Sequence, residues 1–226
     1  MEGNYMNVIV DLKIFIFIII FSIARNINSY MILIAFGIIH ELGHLICGLI
    51  MGFKPKKIEI SPFGLSLSFK INYNDYNKKI FHGSLVNVKR IVLALAGPLT
   101  NMIIICLLIF LVKLNSLNIN IFTNIIYSNL IIAIFNLIPI YPMDGGKIVK
   151  DVSHIFKGLQ KSYTITKNVT WSSLSILTAI CSLLIYYYKN VVILMGVIYL
   201  WIIAIKTQKQ INMKEKIFKA VNSIKA

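Results

Sequence analysis

Apolar residues run in six stretches, at about 8–24, 30–53, 88–112, 121–140, 169–188 and 191–205, and the segments between them hold nearly all the charge. At 1.5 Å per residue, about 20 apolar residues carry a helix across the ~30 Å hydrocarbon core of a bilayer, so the pattern predicts six transmembrane helices. The first stretch contains Asp11 and Lys13, which must reach the interface to be tolerated. No small-residue cleavage site follows it, so it reads as a retained helix and not as a removed leader.

Between the second and third stretches the period changes. From Leu65 to Asn74 the order is Leu-Ser-Leu-Ser-Phe-Lys-Ile-Asn-Tyr-Asn, a strict alternation that predicts an amphipathic strand. No repeat or long flexible linker interrupts the chain. The expected fold is therefore a membrane all-α domain over 1–226. Six transmembrane helices carry a small β-hairpin or sheet on the cytosolic side, between helices 2 and 3. Such a strand can shield helix ends, or it can offer its edge to an extended peptide.

Composition agrees. Hydrophobic residues make up 58% of the 226 positions and charged ones 14%, and mean hydropathy is +0.78. No ordinary water-facing surface can be built from that mixture. The net charge of +15 resembles a nucleic-acid footprint until its placement is read. Of 23 Lys and Arg, only Arg25, Lys113 and Lys189 fall in the alternate loops. The other twenty lie on one side, which is the positive-inside pattern and places both termini in the cytosol. The basic runs from Lys147 to Lys167 and from Lys206 to Ala226 then read as contacts to anionic lipid, with no nucleic-acid partner.

Within the second stretch stands His40-Glu41-Leu42-Gly43-His44. Histidines four apart share a helical face, where two imidazoles reach one zinc ion, and the intervening glutamate is placed to take a proton from an attacking water. Charge inside hydrocarbon is costly and calls for a functional reason. The three cysteines, Cys47, Cys106 and Cys181, all lie in apolar stretches and suggest no disulfide framework. Cys47 shares the face of His40 and His44, but one straight helix cannot wrap three ligands around a tetrahedral metal, so it reads as packing. Gly48 and Gly52 read as a close-packing face for a neighbouring helix. His82 and His154, in basic segments, read as solvated histidines.

Of eight acidic residues, only Glu41 and Asp144 fall in or against the hydrophobic core of a span, Asp11 standing at the edge of the first. Asp144 belongs to Asn136-Leu-Ile-Pro139-Ile-Tyr-Pro142-Met-Asp144-Gly145-Gly146. Alone, its Asp-Gly reads as a turn at a helix end. Pro139 and Pro142 argue for more, because irregular backbone at membrane depth survives only where it lines a protected cavity. A hydrolytic zinc site needs such a cavity and three protein ligands, which His40, His44 and Asp144 supply.

These residues resemble the signature of the site-2 protease family of intramembrane metalloproteases, an in-membrane H-E-x-x-H with a distant aspartate in a Pro-x-x-Pro-Leu-Asp-Gly context. With Ser61-Pro-Phe-Gly64 and Ala96-Gly97-Pro98, they are most similar to the sporulation branch that processes the precursor of sigma-K. The resemblance implies one catalytic zinc on His40, His44 and Asp144, with Glu41 as general base. It implies Asn136, and less directly Asn101, as substrate contacts, with Pro139 and Pro142 in the same motif. It further implies a membrane-tethered pro-protein substrate cut near the cytosolic face, inhibitory membrane partners, and residence in the outer forespore membrane. Met143 stands where leucine is usual. The chain stops soon after its last apolar stretch, so no C-terminal CBS domain is expected. A second branch cuts anti-sigma factors and inserts a periplasmic PDZ domain, for which no alternate loop has room. The rival from another class is a metal or proton transporter with the same four groups as a permeation relay, against which stands the lack of internal repeats.

Overall fold

The computed structural model describes residues 7–23, 25, 27–61, 64–70, 85–114, 119–189 and 191–225. In chain order they form β1 (Asn7–Val10), α1 (Lys13–Ile23), α2 (Ile27–Ile50), β2 (Lys54–Ser61), β3 (Gly64–Lys70), α3 (Leu85–Lys113), α4 (Ile119–Leu137), α5 (Asp144–Tyr188) and α6 (Val191–Lys225). Among the described residues three helices, α2, α3 and α5, are long and apolar enough to cross a membrane, while the apolar parts of α1 and α4 are shorter. His82 and the end of the expected alternation, 71–74, lie outside the described residues.

The chain divides into two compact units. The first comprises residues 1–73 and 92–136. Its sheet has the order β1-β2-β3, with β1 parallel to β2 (Val8 opposite Ile58) and β2 antiparallel to β3 (Ile58 opposite Leu67). The first expected helix, 8–24, is thereby corrected. Its opening residues, the β-branched Val8-Ile9-Val10, pair as a strand, and α1 starts only after Asp11. The parallel pairing brings the entry to α1 and the exit from α2 to one sheet, so α1 and α2 form a hairpin, closed by Phe21 stacked on Tyr30 at 4.5 Å.

Helix α2 buries a stripe made of Tyr30, Gly37, His40, His44 and Gly48, spaced as one face of a 3.6-residue helix. It ends in a Schellman turn: the Phe53 N–H donates to Gly48 O, the Gly52 N–H donates to Leu49 O, and Gly52 takes φ +82°. The two glycines therefore do not form a joint helix-packing face. Gly48 makes room for the Phe69 ring of β3, and Gly52 is the left-handed cap.

The second unit comprises residues 74–91 and 137–226. Helix α5 is broken at Gly158 (φ 80°, ψ 168°), a conformation that glycine adopts without the steric cost of a Cβ. Beyond the break α5 packs on α6 around Leu174, Leu200 and Ala204, with Trp201 Nε1 donating to Thr178 Oγ1 at 3.0 Å. Before it, two pairs one turn apart join α5 to the start of α3: Asn87 with His154 (3.0 Å) and Arg90 with Asp151 (3.6 Å). His154 is thus buried and hydrogen-bonded and not a solvated residue, because α5 turns it, one turn from Asp151, onto Asn87 at the start of α3.

Candidate metal centre

In the first unit the motif histidines of α2 converge. The Nε2 atoms of His40 and His44 lie 3.2 Å apart, with the rings nearly perpendicular, and the two residues are 2% and 4% exposed. His44 Nδ1 donates to Leu93 O at 2.7 Å. A backbone carbonyl only accepts, so Nδ1 carries a proton, and in the neutral ring Nε2 keeps its lone pair. His40 Nδ1 is bonded to Asn101 Oδ1, Asn101 Nδ2 donates to Asn129 Oδ1 at 2.8 Å, and Asn129 Nδ2 donates to Ile125 O at 2.9 Å. Asn101 and Asn129 have no exposed surface.

The pair fits a zinc ion. Nitrogens each about 2.0–2.1 Å from one tetrahedral zinc stand about 3.3 Å apart, which matches the observed separation. The cradle is kept open by Gly97 of α3, since a Cβ there falls on Nε2 of both His44 and His40. Gly97→Ala should therefore crowd out the ion. An overpacking cost of about 1–3 kcal/mol, taken from metal binding, is a roughly 5–150-fold loss of zinc affinity, read by chelator competition with helical content unchanged.

Glu41 sits between the histidines, and its Oε2 accepts the Leu67 N–H at 3.2 Å. Leu67 lies on β3, an edge strand of the sheet. The expected strand thus exists as β3, and one of its backbone donors reaches the expected base.

In the second unit Asp144 opens α5 and is 2% exposed. A carboxylate in a first turn is favoured by the helix dipole, and Lys147 Nζ pairs with Asp144 Oδ1 at 2.8 Å. The preceding turn is held by Ile140 N–H to Ile138 O (2.7 Å) and Met143 N–H to Ile140 O (2.8 Å). Pro139 and Pro142 carry no backbone donor that would need a partner, and the Tyr141 N–H is satisfied by Thr170 Oγ1 at 3.1 Å. This turn folds down on Gly145 and Gly146, where a Cβ would strike the backbone of Leu137 and of Ile140–Tyr141 respectively. The double glycine is the condition for the turn that presents Asp144.

The first unit therefore brings His40, His44 and Asn101 together, and the second places Pro139, Pro142 and Asp144 on one turn. Asn136 is half-buried at the end of α4, where its Nδ2 donates to Ile132 O at 3.0 Å. Cys47 is half-buried on α2. Sequence reasoning missed Asn129, the Leu93 carbonyl, the Leu67 N–H and Lys147. Of these only Lys147, one turn after Asp144, left a local signal.

Residues 113–184 match the sequence model of Peptidase family M50. The chain is 28% identical over 174 residues to a zinc metalloprotease of Methanocaldococcus jannaschii, covering 70% of this chain and 47% of that protein. It is 26% identical over 124 residues to stage IV sporulation protein FB of Bacillus subtilis, covering 55% of this chain and 40% of that protein. The chain thus spans less than half the length of these curated relatives. Among solved structures it is similar to the site-2 protease from Methanocaldococcus jannaschii, with a TM-score of 0.65, 23% identity, and coverage of 89% of this chain and 90% of that one. The chain carries the fold of a site-2 protease, and its residues 113–184 are similar to the sequence model of Peptidase family M50.

Proposed function

We propose that this protein is an intramembrane zinc metalloendopeptidase that cuts a membrane-tethered pro-protein near the cytosolic face. The observation that carries the reading is the pair of Nε2 atoms 3.2 Å apart in the cradle left by Gly97, with Glu41 beside them. In this reading His40, His44 and the buried Asp144 bind one zinc ion. A zinc ion there supplies positive charge that acidifies water and polarises a carbonyl. Glu41 accepts the proton of the attacking water and passes it to the amine released when the peptide bond breaks.

A transmembrane substrate arrives as a helix with its carbonyls hydrogen-bonded, and it must be unwound before cleavage. The edge of β3 suits that task. A peptide drawn out along Gly64–Lys70 would pair with a strand whose Leu67 N–H already touches Glu41, which sets the scissile bond beside the base. Asn136, Pro139 and Pro142 are assigned to the substrate side of the site, and the basic segments to anionic lipid and not to nucleic acid. By likeness to the sporulation relative, the substrate is a pro-sigma-K-like protein and the regulators are inhibitory membrane proteins. Co-expression with a tethered pro-sigma factor should give a shortened product on a gel. Its absence with every tethered pro-protein tried, from a zinc-loaded enzyme, would sink the proposal.

The topology that goes with this function has six spans and cytosolic termini. Reporter fusions after residues 75, 155 and 226 should read as cytosolic, and fusions near 27, 116 and 189 as the opposite side. A cytosolic signal near 116 breaks the six-span arrangement.

A further inference from the structure

The buried amides Asn101 and Asn129 lie between the proposed zinc ligand His40 and a main-chain carbonyl of α4. The direction of every bond in that chain is set by its far end. Ile125 O can only accept, so the atom of Asn129 facing it is the Nδ2 donor. Asn129 must then turn its oxygen to Asn101. That oxygen accepts, so Asn101 must offer Nδ2 to it and turn its own oxygen to His40. An oxygen facing His40 Nδ1 requires a proton on Nδ1, which in the neutral ring leaves Nε2 bare. Only a bare nitrogen binds a metal.

From this we infer that Asn129 is a positioning residue for the zinc-binding nitrogen of His40, acting through Asn101. The inference rests on the reading of His40 as a zinc ligand. His44 reaches the same state in one step through Leu93 O, whereas His40 needs two amides to reach a carbonyl. The two amides are fully buried, so water does not compete for the chain. Asn101 is engaged by His40 at one end of its amide and by Asn129 at the other, which assigns it to the histidine in place of substrate.

Asn129→Leu removes the oxygen that orients Asn101. That amide can then present Nδ2 to His40, moving the ring proton to Nε2. Second-sphere losses of this kind typically weaken metal affinity about 10–100-fold. Asn129→Asp is the rescue: buried and protonated, it donates O–H to Ile125 O and keeps a carbonyl toward Asn101. The experiment uses full-length protein in detergent with ¹⁵N-labelled histidine, the His40 resonances being those lost in His40→Ala. In the metal-free wild type, Nδ1 should be protonated and Nε2 bare. N129L should show a mixed or inverted tautomer and a 10–100-fold weaker zinc affinity by chelator competition, and N129D should restore both. A wild-type His40 protonated on Nε2 overturns the inference by itself, whether or not the variants fold. So does an N129L that is helical by circular dichroism with wild-type tautomer and affinity, or an N129D no better than a folded N129L. If His40→Ala binds zinc as well as wild type, the ligand assignment has failed, while the tautomer result stands on its own.

Discussion

Glu41→Gln should leave zinc bound at about one ion per chain and lower cleavage of a tethered pro-protein by at least about 10²–10⁴-fold, the range for losing a general acid–base residue. The amide keeps the size of the carboxylate, and its Oε1 can still accept the Leu67 N–H, so the local packing of α2 on β3 is retained. What is lost is basicity. The attacking water has nowhere to send its proton, and the departing amine has no donor. Because the proposed mechanism gives Glu41 both steps, the loss exceeds what one role explains if nothing takes over the second. Binding needs neither step, so an uncut complex should accumulate and be recoverable from the membrane. The same variant separates the enzyme from the transporter reading. A permeation relay missing one carboxylate would change ion flux in proteoliposomes, and neither form would cut a protein. Wild-type processing by Glu41→Gln would end the hydrolytic mechanism.

The parts of this site that could be read from sequence are those set by local spacing. His40 and His44 share a face because a helix turns once in 3.6 residues, and the structure puts their Nε2 atoms 3.2 Å apart. The turn before Asp144 was legible for a similar reason, since two prolines and two glycines leave the backbone few choices. The rest depends on partners far along the chain. Asn101 finds Asn129 across 28 residues, Glu41 finds Leu67 across 26, and His154 finds Asn87 across 67. A lone asparagine in an apolar helix carries no mark of which amide it will meet. Strand β1 was hidden for another reason. Its apolar residues run on into those of α1 with only Asp11-Leu12 between, so hydropathy alone saw one helix where pairing with β2 made a strand and a short helix. Gly97 shows the converse case, a residue whose spacing says little and whose missing Cβ decides whether an ion fits.

Asp144→Asn should abolish cleavage and release zinc, while Cys47→Ala should leave both close to wild type. The contrast follows from charge and place. Asp144 is buried at the first turn of α5, on a turn whose shape is fixed by Pro139, Pro142, Gly145 and Gly146. Asparagine preserves that shape and can still accept the Lys147 ammonium, so the fold should survive. It offers zinc a neutral carbonyl oxygen in place of an anion. The ion is then held by two imidazoles and a weak dipole, short of the three good protein ligands that a catalytic zinc site uses. An ammonium once neutralised beside Asp144 would also be left with its full positive charge near the cation, which weakens binding further. Cys47 lies half-buried on the same helix as His40 and His44, where a straight helix cannot bend a third ligand round a metal. Its loss removes one sulfur from a packed face and nothing from the site. Metal content of the purified variants, together with the gel assay, decides the matter. A Cys47→Ala protein that has lost zinc while Asp144→Asn keeps it would transfer the third ligand to the cysteine and undo the assignment proposed for this centre.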